Sequence, residues 1–181
     1  DVVDDKNGQE HKVRCETPVE YVSYPVRKFE PSDLDLDLTT DFNFLAVAQI
    51  SPRKNLDQLI QCFVEEFRDN ENVGLVVKTN MAKNSLIDRM NTLSNFKHLL
   101  SQHGDRKCKI YLLHGFLNDN DMAGLYTHPK IKALVSTTHG EGFGLPIFEA
   151  AYYGLPIAAT NWSGHLDFLC KPTKKAKGKE K

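Results

Sequence analysis

The feature that most constrains the fold is the alternation, from Phe44 onward, of short apolar runs with stretches of helical spacing. The apolar runs predicted as strands are FLAVAQI, VGLVVKT, KIYLLH, KALVSTT and LPIAAT, and a helix-like stretch follows each, giving five β-α units. Strands that are apolar along their whole length are buried on both faces, so helices must cover both sides of a parallel sheet. The sequence therefore predicts an α/β fold built on a doubly wound parallel sheet.

The clearest helix is LDQLIQCFVEEF, residues 56–67. Its apolar residues follow steps of three and one and form a single stripe at a period of 3.6: Leu56, Leu59, Ile60, Phe63, Val64 and Phe67. Asn55 stands immediately before this helix and is predicted to be its N-cap.

The two ends of the chain lack this alternation, so three regions are predicted. Residues 1–40 form a lead-in segment, in which YVSYPVRKFEPSDLDLDLTTD reads as an entering strand followed by a polar loop. Residues 41–170 form the sheet-containing domain. Residues 171–181, KPTKKAKGKEK, form a lysine-rich loop or tail that cannot bury a core. A contact of this tail with phosphate or acidic lipid is the alternative to a solvated tail.

Composition excludes several functional classes. A formal net charge of −1 over 181 residues argues against nucleic acid as a partner, because nucleic-acid domains carry a basic excess. No apolar run approaches the roughly 18 residues of a transmembrane segment. The cysteines are scattered and form no CxxC pair, which favours a reducing, cytoplasmic location: Cys15, Cys62, Cys108 and Cys170.

Two cations follow the first predicted strand. In open α/β sheets, ligands bind beyond the carboxyl ends of the strands, where loops meet helix N-termini. The segment QISPRKN brings Arg53 and Lys54 to such a loop, beside the positive end of the first helix dipole. The pair therefore predicts a phosphate or diphosphate site, although two exposed loop charges remain an equal alternative.

A glycine-rich loop with two acids, HGEGFGLPIFEA, follows the fourth predicted strand. Gly140, Gly142 and Gly144 let the backbone turn sharply and bring N–H groups close to a ligand, and Pro146 suits the first helical position, where its missing N–H costs nothing. Glu141 lies in the loop. Glu149 lies about one turn into the helix, where its carboxylate tilts back toward the loop.

The two carboxylates can accept hydrogen bonds from hydroxyl groups, and the backbone N–H groups of the loop can donate to an anion. This combination suits a ligand that carries both hydroxyl groups and negative charge, such as a sugar nucleotide. A carboxylate that accepts two ribose hydroxyls gains charge-assisted hydrogen bonds of roughly 1.5–3 kcal/mol each. For Glu149 the alternative is a charge at a helix N-terminus that only stabilises the dipole.

These residues resemble the retaining glycosyltransferases of the GT-B fold, family four, also called glycosyl transferases group 1, and in particular their C-terminal, donor-binding domain. Glu141 and Glu149, within EGFGLPIFE, match the E-x7-E motif of that family, and EAAYYGLPIAATNWSG is similar to its continuation. SPRKNLDQLI and LLHGFLNDNDMAGLY are similar to two upstream segments. The resemblance extends roughly from Val19 to Leu169 and implies a Rossmann-like sheet, one half of a GT-B fold.

The resemblance implies a role for each candidate residue. Lys54 and Glu141 would be catalytic, with Lys54 and Arg53 neutralising the diphosphate leaving group and Glu141 facing the transferred sugar. Glu149 would bind the nucleotide ribose. The remaining substrate-binding candidates are the glycine loop and the segment expected near the base: Gly142, Phe143, Gly144, Leu145, Gly115 and Phe116. The resemblance implies no metal and no cofactor, with a nucleoside-diphosphate sugar as the donor substrate.

Two features depart from the family pattern. Ala48-Gln49 stands where the family usually has Gly-Arg, so Arg53 is the candidate substitute for the expected phosphate-binding cation. The second strand ends in VVKTNMAKN rather than a glycine-rich turn, so Lys78, Asn80 or neither could reach the cleft. The fold also needs an N-terminal acceptor-binding domain, which implies that this chain is a fragment, inactive in transfer by itself.

Two further functions remain open: a non-catalytic module that binds nucleotide sugars, and a GT-B epimerase or phosphorylase. Other signals are discounted. The run DLDLDL (residues 33–38) resembles the metal-binding DxD of the GT-A fold, but it precedes the sheet and reads as a solvated loop. His139 and Glu141 are too few for a structural zinc site. GEGFG lacks the position and spacing of a dinucleotide-binding motif.

Overall fold

The computed structural model describes residues 2–3, 10–11, 17–20, 22, 24–80 and 84–170. Two short strands, β1 (Val2–Val3) and β2 (Glu10–His11), pair antiparallel in a sheet of their own. The main sheet has five strands: β3 (Phe42–Val47), β4 (Val73–Thr79), β5 (Lys109–His114), β6 (Ile131–Ser136) and β7 (Ile157–Ala159). The predicted tail, residues 171–181, lies outside the described residues.

The main sheet is parallel throughout, in the order β5-β4-β3-β6-β7. The helices between its strands are α1 (Leu56–Phe67), α2 (Leu86–Ser101), α3 (Asp119–Thr127) and α4 (Leu145–Tyr152), and α5 (Leu166–Leu169) follows β7. This confirms the predicted doubly wound parallel sheet. The chain builds outward from β3 in one direction through β4 and β5, then returns to add β6 and β7 on the other side. The topological switch point, where such sheets bind ligands, therefore lies between β3 and β6.

Each face of the sheet has its own apolar cluster, because neighbouring residues of a strand point to opposite faces. Leu75 and Val77 pack with the apolar stripe of α1, as the sequence predicts. Val76, which lies between them in β4, packs on the other face with α3 and α4. Burial on both faces explains why the strands read as continuous apolar runs.

Asn55 occupies the predicted N-cap position of α1, but its side chain makes no capping hydrogen bond. Its backbone is left-handed, with φ of 54°, because the residue also ends a 3-10 turn formed by Pro52–Lys54. Asparagine is enriched in this conformation. Its Nδ2 instead donates to the Thr137 carbonyl at 3.3 Å, and the Thr137 hydroxyl donates back to the Asn55 carbonyl at 2.9 Å. Asn55 thus joins the loops that follow β3 and β6.

The lead-in segment differs from both sequence-based expectations. Its described residues between positions 17 and 41 contain no strand, so the predicted entering strand is wrong for that part of the chain. The run DLDLDL is not simply a solvated loop either. Its aspartates are exposed, whereas Leu34, Leu36 and Leu38 pack against the cluster formed by α3 and α4. The alternation reflects an extended segment that lies along the domain with one apolar side.

Leu38 is 7% exposed, whereas its neighbour Asp37 is exposed. We expect Leu38→Ala to lower the free energy of unfolding by about 2–5 kcal/mol, because the substitution removes buried methyl groups and leaves a cavity. Asp37→Ala is the matched control and should change it by less than about 0.5 kcal/mol. Urea unfolding followed by circular dichroism measures both. Equal stability of the two variants would show that the segment is not part of the core.

Candidate functional site

The loops after β3 and β6 meet at the carboxyl edge of the sheet, at the switch point. The His139 amide donates to the Arg53 carbonyl at 2.8 Å. The Thr138 hydroxyl is within 3.3 Å of the same carbonyl oxygen. Together with the hydrogen bonds between Asn55 and Thr137, these bonds fix the loop that carries Arg53 and Lys54 against the glycine loop after β6. The predicted neighbourhood of Arg53, Lys54 and Glu141 is therefore present.

A mostly buried ion pair joins these two loops. Lys54 Nζ lies 2.6 Å from Glu141 Oε1, and the side chains are 14% and 9% exposed. Arg53 is more open, with 54% of its side chain exposed, and its Nη1 lies 3.2 Å from Glu141 Oε2. Arg53 Nη1 also donates to the Gly140 carbonyl. Two cations therefore share one carboxylate, leaving a local excess of positive charge.

Glu141 remains ionised at neutral pH. Burial by itself raises the pKa of its carboxyl, but the hydrogen bond and charge of Lys54, with further hydrogen bonds from Thr138 and Arg53, outweigh burial and lower the pKa overall. Its backbone is also fixed, because the Glu141 amide donates to Ser163 Oγ at 2.8 Å and the Ser163 hydroxyl donates to the Glu141 carbonyl at 2.6 Å.

These cations line a cleft of about 290 Å³ at the carboxyl ends of β3 and β4. Its lining residues are Val47, Ala48, Gln49, Arg53, Lys54, Lys78, Thr79, Asn80 and Pro146. Both residues proposed from the end of the second strand, Lys78 and Asn80, do reach the cleft. Burial lowers the pKa of Lys78, and its Nζ donates to the Gly115 carbonyl at 2.5 Å. The cleft thus combines three cationic side chains with the start of α4.

The glycine loop delivers backbone donors to the start of α4. Gly144 is the N-cap residue and has φ of 90°, a conformation that strains any residue with a Cβ. Its carbonyl accepts from the amides of Ile147 and Phe148, both at 2.9 Å. Within the described parts of the chain, no protein acceptor is found for the amides of Gly142, Phe143, Gly144 and Leu145. Such N–H groups at a helix N-terminus favour an anion.

The ring of Phe143 belongs to an aromatic cluster. It stacks on Tyr24 with ring centroids 5.0 Å apart, and it contacts Phe148 at 5.2 Å and Phe168 at 5.0 Å. This packing leaves the backbone of Phe143, rather than its ring, for the predicted contact with a ligand. Leu145, rather than the predicted Pro146, takes the first position of α4 and is partly exposed.

Gly115 and Phe116 follow β5, as the resemblance implies for a segment near the base. Gly115 has φ of 109°, and its carbonyl is held by Lys78. Phe116 is 73% exposed, so its ring is available to an incoming planar group. Both residues therefore lie at the carboxyl edge of the sheet, and Gly115 contacts the cationic cleft through Lys78.

Glu149 lies in a second cavity rather than in the cationic cleft. This cavity, about 140 Å³, is lined by residues of the lead-in segment, α3 and α4 and the residue after α4: Tyr24, Pro25, Arg27, Phe29, Asp119, Met122, Ala123, Tyr126, Phe148, Glu149, Tyr152 and Tyr153. The Tyr126 hydroxyl donates to Glu149 Oε2 at 2.9 Å. Burial raises the pKa of Glu149, the Tyr126 hydrogen bond opposes this change, and the charge of Asp119 adds to it. The two acids of the motif therefore have different surroundings.

Sequence reasoning did not identify Tyr126 and Ser163. In the sequence, Tyr126 looks like any aromatic residue of an apolar helix face. Ser163 lies in a loop 22 residues after Glu141. Both bonds depend on tertiary packing, and no local pattern in the sequence indicates them.

The described residues contain no cluster of three His, Cys, Asp or Glu side chains able to hold a metal ion. Within the same ranges, no helix combines the length and apolarity needed to cross a bilayer.

Comparison with known proteins identifies relatives of this chain. Residues 35–175 match the family described as Glycosyl transferases group 1. The serotype-specific mannosyltransferase WbdA of Escherichia coli is 31% identical over 117 residues, which make up 64% of this chain and 13% of that protein. Sucrose-phosphate synthase of Spinacia oleracea is 31% identical over 144 residues, covering 69% of this chain and 12% of that enzyme. The chain thus spans a small part of these curated relatives.

Solved structures share the fold. The C-terminal domain of the group 1 glycosyl transferase LpcC from Francisella tularensis has a TM-score of 0.50 and 20% identity, covering 66% of this chain and 58% of that one. Anabaena HepE, solved with UDP and glucose, has a TM-score of 0.53 and 18% identity, covering 71% of this chain and 32% of that one. On the match of residues 35–175, this chain belongs to the glycosyl transferases group 1, and its Rossmann-like sheet is that of the C-terminal half of their GT-B fold.

Proposed function

We propose that this chain is the donor-binding domain of a retaining glycosyltransferase, which transfers a sugar from a nucleoside-diphosphate sugar to an acceptor. The observation that carries the proposal is the buried Lys54–Glu141 pair, with Arg53 and Lys78 lining the same cleft. Family membership supports sugar transfer in general. HepE, a structural relative solved with UDP and glucose, supports a nucleotide sugar as donor.

Lys54 and Arg53 bind the diphosphate in this account. An ammonium group has three N–H donors and a guanidinium has five, so each can keep its bond to Glu141 and still donate to a phosphate oxygen. Breaking the bond between the anomeric carbon and the diphosphate oxygen leaves negative charge on the diphosphate. The cations and the free amides at the start of α4 stabilise that charge as it develops. Removing one such donor typically lowers kcat by about 10²–10³-fold.

Glu141 has two roles in the proposal. Its ionised carboxylate holds Lys54 in place, and it lies on the glycine loop, where it faces the sugar that leaves the diphosphate. A carboxylate that accepts a hydrogen bond from a sugar hydroxyl orients the ring and adds negative charge near the developing cationic carbon. Transfer with retention of the anomeric configuration is part of the proposal, as the family resemblance implies.

Glu149 binds the ribose in the proposal. Its partly buried carboxylate lies one turn into α4, whose first turn also lines the cationic cleft through Pro146. A diphosphate in the cleft and a ribose at Glu149 would therefore lie on the same helix end. Phe116, exposed after β5, is proposed to contact the base.

Acceptor binding belongs, in this proposal, to another domain of the same protein. The support is that the chain covers only 13% of WbdA and 12% of the spinach sucrose-phosphate synthase. The isolated chain would then bind the donor without transferring sugar. We also propose catalysis without a metal or cofactor, since cationic side chains and a helix N-terminus would face a diphosphate bound in the cleft. A reducing, cytoplasmic setting suits the free thiols of Cys62, Cys108 and Cys170.

A non-catalytic nucleotide-sugar-binding module is the second candidate, and Gln49 favours it. Gln49 lines the cationic cleft where the family usually has a phosphate-binding arginine. Both candidates predict tighter binding of a nucleoside diphosphate to Gln49→Arg. Only the enzyme also releases nucleoside diphosphate from the donor sugar when an acceptor and the acceptor-binding domain are supplied.

We expect Lys54→Met to weaken binding of a ribonucleoside diphosphate by about ten- to a hundredfold, because charge-assisted hydrogen bonds contribute roughly 1.5–3 kcal/mol. Binding of the nucleoside without phosphates should change little. Isothermal titration of ADP, GDP and UDP, and of the nucleoside of the tightest ligand, measures both effects. Lys109→Met is the matched control, since it removes the same charge from an exposed residue at the opposite end of the sheet. The proposal fails if both variants lose the same affinity.

Glu149→Gln should weaken binding of the same ribonucleoside diphosphate by about tenfold, because the neutral amide accepts weaker hydrogen bonds than a carboxylate. Affinity for the 2′-deoxyribonucleoside diphosphate should fall much less, since that ligand lacks one of the two hydroxyls. Titration calorimetry at pH 7 compares the four affinities. An equal loss for both ligands would contradict a ribose role for Glu149.

A further inference from the structure

Glu149 receives a hydrogen bond from a buried tyrosine. The Tyr126 hydroxyl lies 2.9 Å from Glu149 Oε2, and Tyr126 is only 2% exposed. We propose that Tyr126 is a positioning residue for nucleotide recognition, which holds the Glu149 carboxylate oriented toward the cavity. This inference rests on the proposed ribose role of Glu149, and it adds a residue that does not itself need to touch the ligand.

The packing around Tyr126 keeps its hydroxyl in place. Its ring belongs to the apolar cluster between the sheet and helices α3 and α4. It also stacks on the ring of Tyr153, with centroids 6.2 Å apart and planes inclined by 17°. The Tyr153 hydroxyl in turn accepts from the Phe29 amide and donates to the Phe29 carbonyl, both at 3.0 Å. A series of contacts from the lead-in segment through Tyr153 therefore immobilises the donor of the Glu149 bond.

The charge state of Tyr126 suits a permanent donor. Burial and the neighbouring Glu149 charge raise the pKa of Tyr126 far above its ordinary value, so the hydroxyl keeps its proton at all physiological pH values. At Glu149, burial raises the pKa and Asp119 raises it further, whereas the Tyr126 hydrogen bond lowers it. Without that bond the carboxyl would take up a proton at higher pH. The hydroxyl thus extends the pH range in which Glu149 is an anionic acceptor.

The other charged and titratable groups that line the Glu149 cavity come from three places: the lead-in segment, α3 and the end of α4. They are Tyr24, Arg27, Asp119, Tyr152 and Tyr153. Burial and the charge of Asp119 raise the pKa of Glu149, and the Tyr126 hydrogen bond lowers it. Tyr126 is therefore the group whose removal should shift the titration of Glu149 upward.

Holding one carboxylate oxygen also affects affinity. An unrestrained glutamate side chain has three rotatable bonds, and fixing them on ligand binding costs conformational entropy. The Tyr126 hydroxyl donates to Oε2 from within the domain itself, so part of this ordering does not depend on the ligand. The other lone pairs of the Glu149 carboxylate can then accept hydrogen bonds from the ribose hydroxyls.

The first test needs no ligand. The chain is labelled with ¹³C at glutamate carboxyls, and NMR follows the titration of Glu149, identified by the signal missing from Glu149→Gln. We expect Tyr126→Phe to raise the titration midpoint. Tyr111→Phe, the matched control, removes a hydroxyl bonded to Thr39 and Thr40 near the amino ends of the strands and should leave the midpoint unchanged. An unchanged midpoint in Tyr126→Phe overturns the inference.

The second test is binding of the ribonucleoside diphosphate that binds tightest among ADP, GDP and UDP, measured between pH 5 and 8. Tyr126→Phe should weaken it about tenfold, consistent with loss of one hydrogen bond to a charged group. The decline of affinity on the acid side should begin at higher pH than in the unmodified chain. Tyr126→Phe retains the ring, and circular dichroism checks that each variant is folded.

The two proposals fail in different ways. If Glu149→Gln leaves the affinity for the ribonucleotide unchanged, the ribose role of Glu149 fails and the recognition role of Tyr126 fails with it. If Glu149→Gln weakens binding while Tyr126→Phe changes neither the affinity nor the pH at which it begins to fall, only the positioning inference is overturned.

Discussion

The ion pair between Lys54 and Glu141 is the interaction on which the candidate site depends. It joins two loops 87 residues apart in sequence, one after β3 and one after β6. The desolvation of two charges is costly, so such a pair is stable only when both partners are well hydrogen-bonded. Here the Glu141 carboxylate also forms an ion pair with Arg53, and its backbone amide donates to Ser163 Oγ. The pair therefore fixes the register of the two loops and concentrates positive charge between them.

The two acids of the motif, Glu141 and Glu149, lie in chemically different parts of the site. Around Glu141 the side chains are cationic, and the backbone has N–H groups for which the described residues provide no acceptor, which suits phosphate. Around Glu149 the walls are aromatic and the carboxylate is partly desolvated, which suits a hydroxyl-rich group against an apolar surface. A nucleoside diphosphate has both kinds of chemistry, joined by a short link. The N-terminal turn of α4 lies between the two surroundings, and this shared helix connects them in our account.

The sequence predicts much of this architecture because its signals are local. Apolar runs, helical periodicity and the glycine loop place the strands, the helices and the meeting of Lys54 with Glu141 at the switch point. Competing local interactions explain the differences. Asn55 precedes a helix, but the preceding 3-10 turn leaves it left-handed and its amide bonds Thr137 instead of capping. The aspartates of DLDLDL made the run read as a solvated loop, so the packing of the alternating leucines was not recognised. The bond between Tyr126 and Glu149 depends on how α3 packs beside α4, which no local pattern specifies.

A crystal structure of this chain with the ribonucleoside diphosphate that it binds tightest would show directly whether Lys54 and Glu149 hold one ligand. We expect the pyrophosphate within hydrogen-bond distance of Lys54 Nζ and the α4 amides, with a ribose hydroxyl on Glu149. A pyrophosphate bound away from Lys54, or a ribose that leaves Glu149 bonded to Tyr126 alone, would contradict this expectation.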